Sequence, residues 1–136
     1  MSKALLLDTH IFLWMRAEPA KLTEQERSLI DAAPRRTVSV VSFWEIGLLI
    51  SLGRIENDPR LFTLPHGVEL LPILPGHCQE LIGLPQIHRD PFDRMLIVQA
   101  RVESLMLVTR DAKITNYGRD GATTAVLGPA FPPAQH

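Results

Sequence analysis

The sequence predicts an α/β fold in which a central, mostly parallel sheet of four to five strands is flanked by helices. Three observations predict it. Short aliphatic or β-branched runs alternate with helix-patterned segments along the chain. The helical segments open on cap signals such as Thr23-Glu24-Gln25-Glu26 and Asp90-Pro91. Acidic residues follow the strand-like runs, which is where open α/β sheets form their sites.

The chain has 136 residues, the size of one ordinary domain. Its 14 Lys+Arg against 15 Asp+Glu give no whole-molecule field to attract a polyanion, so any nucleic-acid site must be local. Arginine supplies 11 of those cations, a bias that suits phosphate but arises equally from surface ion pairs. No apolar run approaches the roughly 18 residues of a membrane span. The four apolar residues before Asp8 are too few for a secretory signal, and the lone Cys78 forms no internal disulfide, so the expected setting is the cytoplasm, away from membranes.

Ala4-Leu5-Leu6-Leu7 reads as a buried strand ending at Asp8-Thr9-His10, with a helical pattern beginning at Ile11. Thr23-x-x-Glu26 is a capping box, and Pro34 stops the helix it opens. Thr37 to Val41 is β-branched enough for a second strand, after which Ser42-Phe43-Trp44-Glu45 opens a helix reaching about Leu52 before Gly53. A third strand is expected near Val68 to Ile73, with a helix from Gly76 to Leu84. Leu105 to Thr109 is the fourth strand, and Thr123 to Leu127 is a candidate edge strand. The tail from Gly128 to His136 holds three prolines and joins neither a helix nor a central strand.

The organising stretch is His88-Arg89-Asp90-Pro91-Phe92-Asp93-Arg94. Asp followed by Pro is a favoured cap and first helical position, which puts Asp93 in the first turn of a helix whose later residues are apolar nearly all round. Asp8 and Asp111 follow strands, whereas Glu45 and Asp93 are expected in helix first turns, so all four map to the carboxyl edge of the sheet. Taken singly, capping accounts for Glu45, in Ser42-x-x-Glu45, and for Asp93. Four converging carboxylates would repel one another and resist ionisation unless a cation joined them. Oxygen ligands suit Mg²⁺ or Mn²⁺, and such an ion lowers the pKa of an attacking water and stabilises the leaving oxygen of a phosphodiester.

Leu7-Asp8-Thr9-His10, Ser42-x-Trp44-Glu45, His88-x-Asp90-Pro91-Phe92-Asp93-Arg94 and Thr109-Arg110-Asp111, in this order, resemble a PIN-domain ribonuclease of the VapC toxin type. The resemblance implies a three-layer PIN-like domain over residues 1–127, with 128–136 as a Pro-rich tail. It implies a Mg²⁺-dependent endoribonuclease, commonly dimeric, that is held inactive by a cognate antitoxin whose C-terminal segment fills the active-site groove. By position, Asp8, Glu45 and Asp93 become the core acids and Asp111 the fourth, with Asn116 close by in sequence.

Supporting roles have competing readings. Asp90 is either a further acid behind the site or the cap of its helix, and its place before Pro91 favours the cap. Thr9 joins the water shell of the metal or caps the helix after it. Arg94 and Arg110 steady the neighbouring acids, contact phosphate, or form surface ion pairs. His10 and His88 lack a zinc-ligand partner at familiar spacing and read as structural hydrogen-bonders. Phe12, Trp14, Phe43 and Trp44 read as core or oligomer-interface residues before base-stacking ones. The alternatives to an RNA hydrolase are a receiver-like phospho-signalling domain, a catalytically silent PIN-like binding scaffold and a DNA nuclease using the same metal chemistry.

Overall fold

Leu5, Leu6 and Leu7 form the strand β1 and have no accessible surface. Three consecutive leucines make a strand apolar on both faces, which is stable only between two covering layers. The computed structural model describes residues 4–86, 90–110 and 124–126. Within them β1 is flanked by β2 (Arg36–Ser39) and β4 (Met106–Thr109), with β3 (Val68–Leu71) outside β2 and β5 (Thr124–Val126) outside β4. All four pairings are parallel, and Leu7 stands opposite Val38 on one side and Val108 on the other.

The order β3-β2-β1-β4-β5 means that the chain winds outward from β1 on one side, then crosses back and winds outward on the other. That reversal opens a crevice at the carboxyl ends of β1 and β4. It also removes the receiver-like reading, because receiver domains place their strands in the order 2-1-3-4-5.

The helices are α1 (Thr9–Ala17), α2 (Glu24–Ala32), α3 (Val40–Ser51), α4 (Pro75–Leu81) and α5 (Pro91–Val102), with single 3₁₀ turns at Pro19–Lys21 and Pro59–Phe62. On one face of the sheet Leu5 and Leu7 pack with Ile11 and Phe12 of α1, Ile30 of α2 and Ile46 of α3. On the other, Leu6 and Leu107 pack with Leu84 and with Leu96, Ile97 and Ala100 of α5. The result is three layers, and each fully buried leucine contributes about 1.5–3 kcal/mol. No helix among the described residues is long and apolar enough to cross a membrane.

Several boundaries differ from the sequence expectation, for local reasons. α1 starts at Thr9 rather than Ile11, because the Asp8 side chain accepts the Ile11 N–H at 2.8 Å and caps the helix directly after β1. β2 ends at Ser39 rather than Val41, because Ser39 Oγ accepts the Val41 N–H at 3.0 Å and turns the chain straight into α3. α4 begins at Pro75 and ends at Leu81, and β3 stops at Leu71. The capping box at Thr23 and Glu26 forms as expected, and so does the Asp90 cap. His88, Asp111, Asn116 and the tail 128–136 lie outside the described residues.

Candidate active site

Asp8 follows β1 at the crevice and is 7% exposed. Its two oxygens have different partners. Oδ1 caps α1 through the Ile11 N–H, and Oδ2 accepts a short hydrogen bond from the hydroxyl of Thr109, the last residue of β4. Thr109 is itself fully buried, so this hydroxyl has little room to turn elsewhere.

Glu45 is the sixth residue of α3, not a first-turn residue. Ser42 is therefore no cap. It is fully buried, and its Oγ accepts the Thr9 hydroxyl at 2.9 Å, which ties the start of α1 to α3. With the capping box gone, capping no longer accounts for Glu45. Its Oε1 is buried and has no hydrogen-bond partner among the described residues. Burial pushes the Glu45 carboxyl above the usual carboxylate range, the nearby Thr9 hydroxyl and His10 draw it back, and the charges of Asp90 and Asp8 push it further up.

Asp93 occupies the first turn of α5, where the helix dipole favours a carboxylate. Asp90 Oδ1 accepts the Phe92 and Asp93 N–H groups at 2.8 and 3.2 Å, so Asp90 is the cap that fixes where Asp93 begins. Phe92 meets Trp44 edge-on with ring centres 5.1 Å apart, which brings the start of α5 against α3 beside Glu45. Trp44 remains 65% exposed, whereas Phe12 is buried in the core.

Both arginines are engaged by protein groups. Arg94 is buried, and its guanidinium donates to the carbonyls of Pro85 and Leu84 at 2.9 and 3.4 Å. A side chain so enclosed braces the approach to α5 rather than reaching for a phosphate. Arg110 turns to Glu26 on α2, donating Nε to Oε2 at 2.6 Å, and its guanidinium carbon lies 4.4 Å from the centre of the Trp14 ring. Thr9 is the first residue of α1, after the cap Asp8, and its hydroxyl donates to Ser42 Oγ. His10 is exposed at the start of α1, tilted against Trp14 with ring centres 6.0 Å apart. It also lines a cleft of about 710 Å³ that runs between α1 and the segment containing Arg54 and Arg60.

The structure thus brings Asp8, Glu45, Asp90 and the start of α5 together. Among the described residues, no three His, Cys, Asp or Glu side chains are already gathered as metal ligands. The donor set nevertheless fits a hard divalent cation. A desolvated carboxylate oxygen without a partner, pressed by two other carboxylates, is relieved by such an ion. Sequence reasoning missed Ser42, Thr109 and Glu26 as parts of this arrangement. Thr109 and Ser42 were visible only as letters within motifs, because their contacts depend on strand neighbours and on the true start of α3.

A model of the PIN domain family matches residues 5–120. Ribonuclease VapC22 of Mycobacterium tuberculosis (strain ATCC 25618 / H37Rv) is 27% identical over 117 aligned residues, with 82% of this chain and 90% of that protein covered. Solved structures share the fold at low identity. A toxin–antitoxin complex from Klebsiella pneumoniae gives a TM-score of 0.60 at 19% identity over 93% of this chain and 98% of that one. VapBC2 from Rickettsia felis, bound to a DNA fragment from its promoter, gives a TM-score of 0.68 at 14% identity over 90% of this chain and 98% of that one. FitAcB from Neisseria gonorrhoeae gives 0.63 at 18% identity over 92% and 97%. With the family model spanning both β1 and β4, whose carboxyl ends frame the acidic crevice, the chain belongs to the PIN domain family.

Proposed function

We propose that this protein is a metal-dependent endoribonuclease, the toxin half of a cytoplasmic toxin–antitoxin pair, with Asp8, Glu45 and Asp93 as its core acids. The single observation that carries the metal site is the buried Oε1 of Glu45, unpartnered among the described residues and within reach of the charges of Asp8 and Asp90. The likeness to a protein named as a ribonuclease supports the activity, and the VapBC and toxin–antitoxin neighbours support an antitoxin partner.

Asp8, Glu45 and Asp93 would hold Mg²⁺ or Mn²⁺, with Asp111, next after Arg110 in the sequence, as a further ligand. When bound, the ion supplies charge neutralisation at the phosphodiester and a water of lowered pKa. The protein's own contribution is placement. Thr109 holds one rotamer of Asp8, Thr9 and Ser42 fix the approach of α1 to α3, and Asp90 sets the first turn that carries Asp93. His10, whose charge reaches Glu45, lines the cleft beside α1 together with Arg54 and Arg60, and this cleft would take a single RNA strand. Trp44 and Leu48 of α3 and Leu52 at its C-cap recur every fourth residue and are exposed, which supports self-association as a homodimer.

The test is cleavage of a mixed RNA pool by antitoxin-free protein in Mg²⁺, Mn²⁺ or EDTA, beside the Asp8→Asn variant and a competing DNA substrate. Cleavage of RNA that needs the divalent ion and disappears in Asp8→Asn is the expected result. Equal cleavage by wild type and variant, or a preference for DNA, overturns the proposal. Absence of cleavage under every condition leaves a binding scaffold as the better reading.

A further inference from the structure

We infer that Glu26, which lies outside every acidic motif of the chain, is a positioning residue for the acid site and acts through Arg110 and Thr109. The inference rests on the metal-site reading above and adds α2 to the machinery of that site.

Glu26 is the third residue of α2 and completes its capping box, with Oε1 accepting the Thr23 N–H at 2.8 Å. A capping glutamate needs no more than that, and glutamate is almost never fully buried unless paired. Glu26 is instead fully buried. Burial of a carboxylate is costly unless it is paired and hydrogen-bonded, and here Arg110 supplies a fork, donating Nε to Oε2 and Nη2 to Oε1. Arg110 Nη2 also donates to the Lys21 carbonyl at 2.6 Å, and the Trp14 ring covers the guanidinium. The side chain is therefore fixed from α1, from the turn after it and from α2 together.

What this clasp fixes is the backbone at the end of β4. Arg110 directly follows Thr109, whose hydroxyl holds Asp8 Oδ2, and directly precedes Asp111. With Arg110 pinned, the Thr109 hydroxyl keeps its aim at Asp8. Buried ion pairs add little stability compared with apolar replacements, so their value lies in fixing one geometry. The clasp also commits the guanidinium to Glu26. Arg110 lies near enough to Asp8 to feel its charge, and once released from Glu26 it can turn towards the acid that the metal needs.

The experiment is Mn²⁺ binding to the full chain, followed by titration calorimetry, together with thermal melting and the kcat and KM for RNA. Four variants are compared: Glu26→Gln, Arg110→Lys, Thr23→Ala and Asp8→Asn. Gln at position 26 keeps one oxygen for the capping box and replaces the other with an NH₂ donor, so the charge and the second acceptor of the Arg110 fork are lost together. We expect Glu26→Gln to weaken Mn²⁺ binding roughly tenfold, in the range seen when residues behind metal ligands are altered. kcat should fall with it while KM changes little. Thr23→Ala should lower the melting temperature and leave Mn²⁺ binding unchanged. Arg110→Lys keeps the charge without the fork and should fall between wild type and Glu26→Gln, so it answers the question even if Glu26→Gln folds poorly. Wild-type Mn²⁺ affinity in folded Glu26→Gln or Arg110→Lys overturns the inference while Asp8→Asn still loses the ion. Retention of Mn²⁺ by Asp8→Asn overturns the acid-site reading itself, and the inference with it.

Discussion

The Thr109 hydroxyl donates to Asp8 Oδ2, joining the carboxyl ends of two neighbouring parallel strands across 101 positions of sequence. A carboxylate at a strand end is otherwise free to rotate. This one is held at both oxygens, by a helix N–H and by a hydroxyl, so its direction is set before any ion arrives.

Thr109→Val keeps the shape of the side chain and removes the donor. Mn²⁺ affinity should fall roughly 10- to 100-fold, with Thr109→Ser recovering most of it. Calorimetric titration of the three proteins checks this, and equal affinities would show that Asp8 needs no such support.

Glu45→Gln should abolish RNA cleavage and leave the metal-free protein as stable as wild type or more so. The substitution removes a desolvated charge facing Asp8 and Asp90 without changing side-chain volume. Thermal melts in EDTA provide the measurement. A marked drop in melting temperature would instead identify Glu45 as a structural residue.

Glu26 makes stability depend on pH with a definite sign. Burial raises its carboxyl, but the hydrogen bonds from Arg110 and Thr23 outweigh this and hold it below the ordinary value of 4.5. Its ionised form is therefore favoured by folding. The stabilisation is complete above the unfolded pKa and is lost as the pH falls through the folded one. Urea unfolding of wild type against Glu26→Gln should show a difference of roughly 1–3 kcal/mol at pH 7. The gap should close as the solution is acidified below the ordinary carboxylate range. A gap that persists at acid pH would show that the charge is not what stabilises.

Asp90→Ala removes the acceptor for two N–H groups and should cost about 1 kcal/mol. Asp90→Ser restores a cap without a charge, and should restore both the melting temperature and the cleavage rate. Loss of cleavage in a stable Asp90→Ser protein would make Asp90 an acid of the site rather than the cap that positions Asp93.

What the sequence makes legible is whatever depends on neighbours in the chain. The Thr23 box, the Asp90 cap before Pro91 and the doubly apolar run of β1 are all local signals, and each appears in the structure where the residues put it. Ser42-x-x-Glu45 misled because Ser39 lies three residues earlier and captures the Val41 N–H first, so a correct motif had a wrong local explanation. Arg110 beside Asp111 invited a catalytic partnership. Among the described residues its ion-pair partner is Glu26, 84 positions away, and the winding of the sheet brings the two together.

The strand order has a consequence for how the protein is made. β1 emerges first and lies at the middle of the sheet, but one of its neighbours, β4, begins only at Met106. Until that strand has left the ribosome, one edge of β1 is unpaired and Asp8 lacks the hydroxyl that orients it. A chain that terminates before β4 therefore carries Asp8, Glu45 and Asp93 without the frame that sets Asp8 in place. The topology therefore delays the framing of Asp8 until β4 has been made.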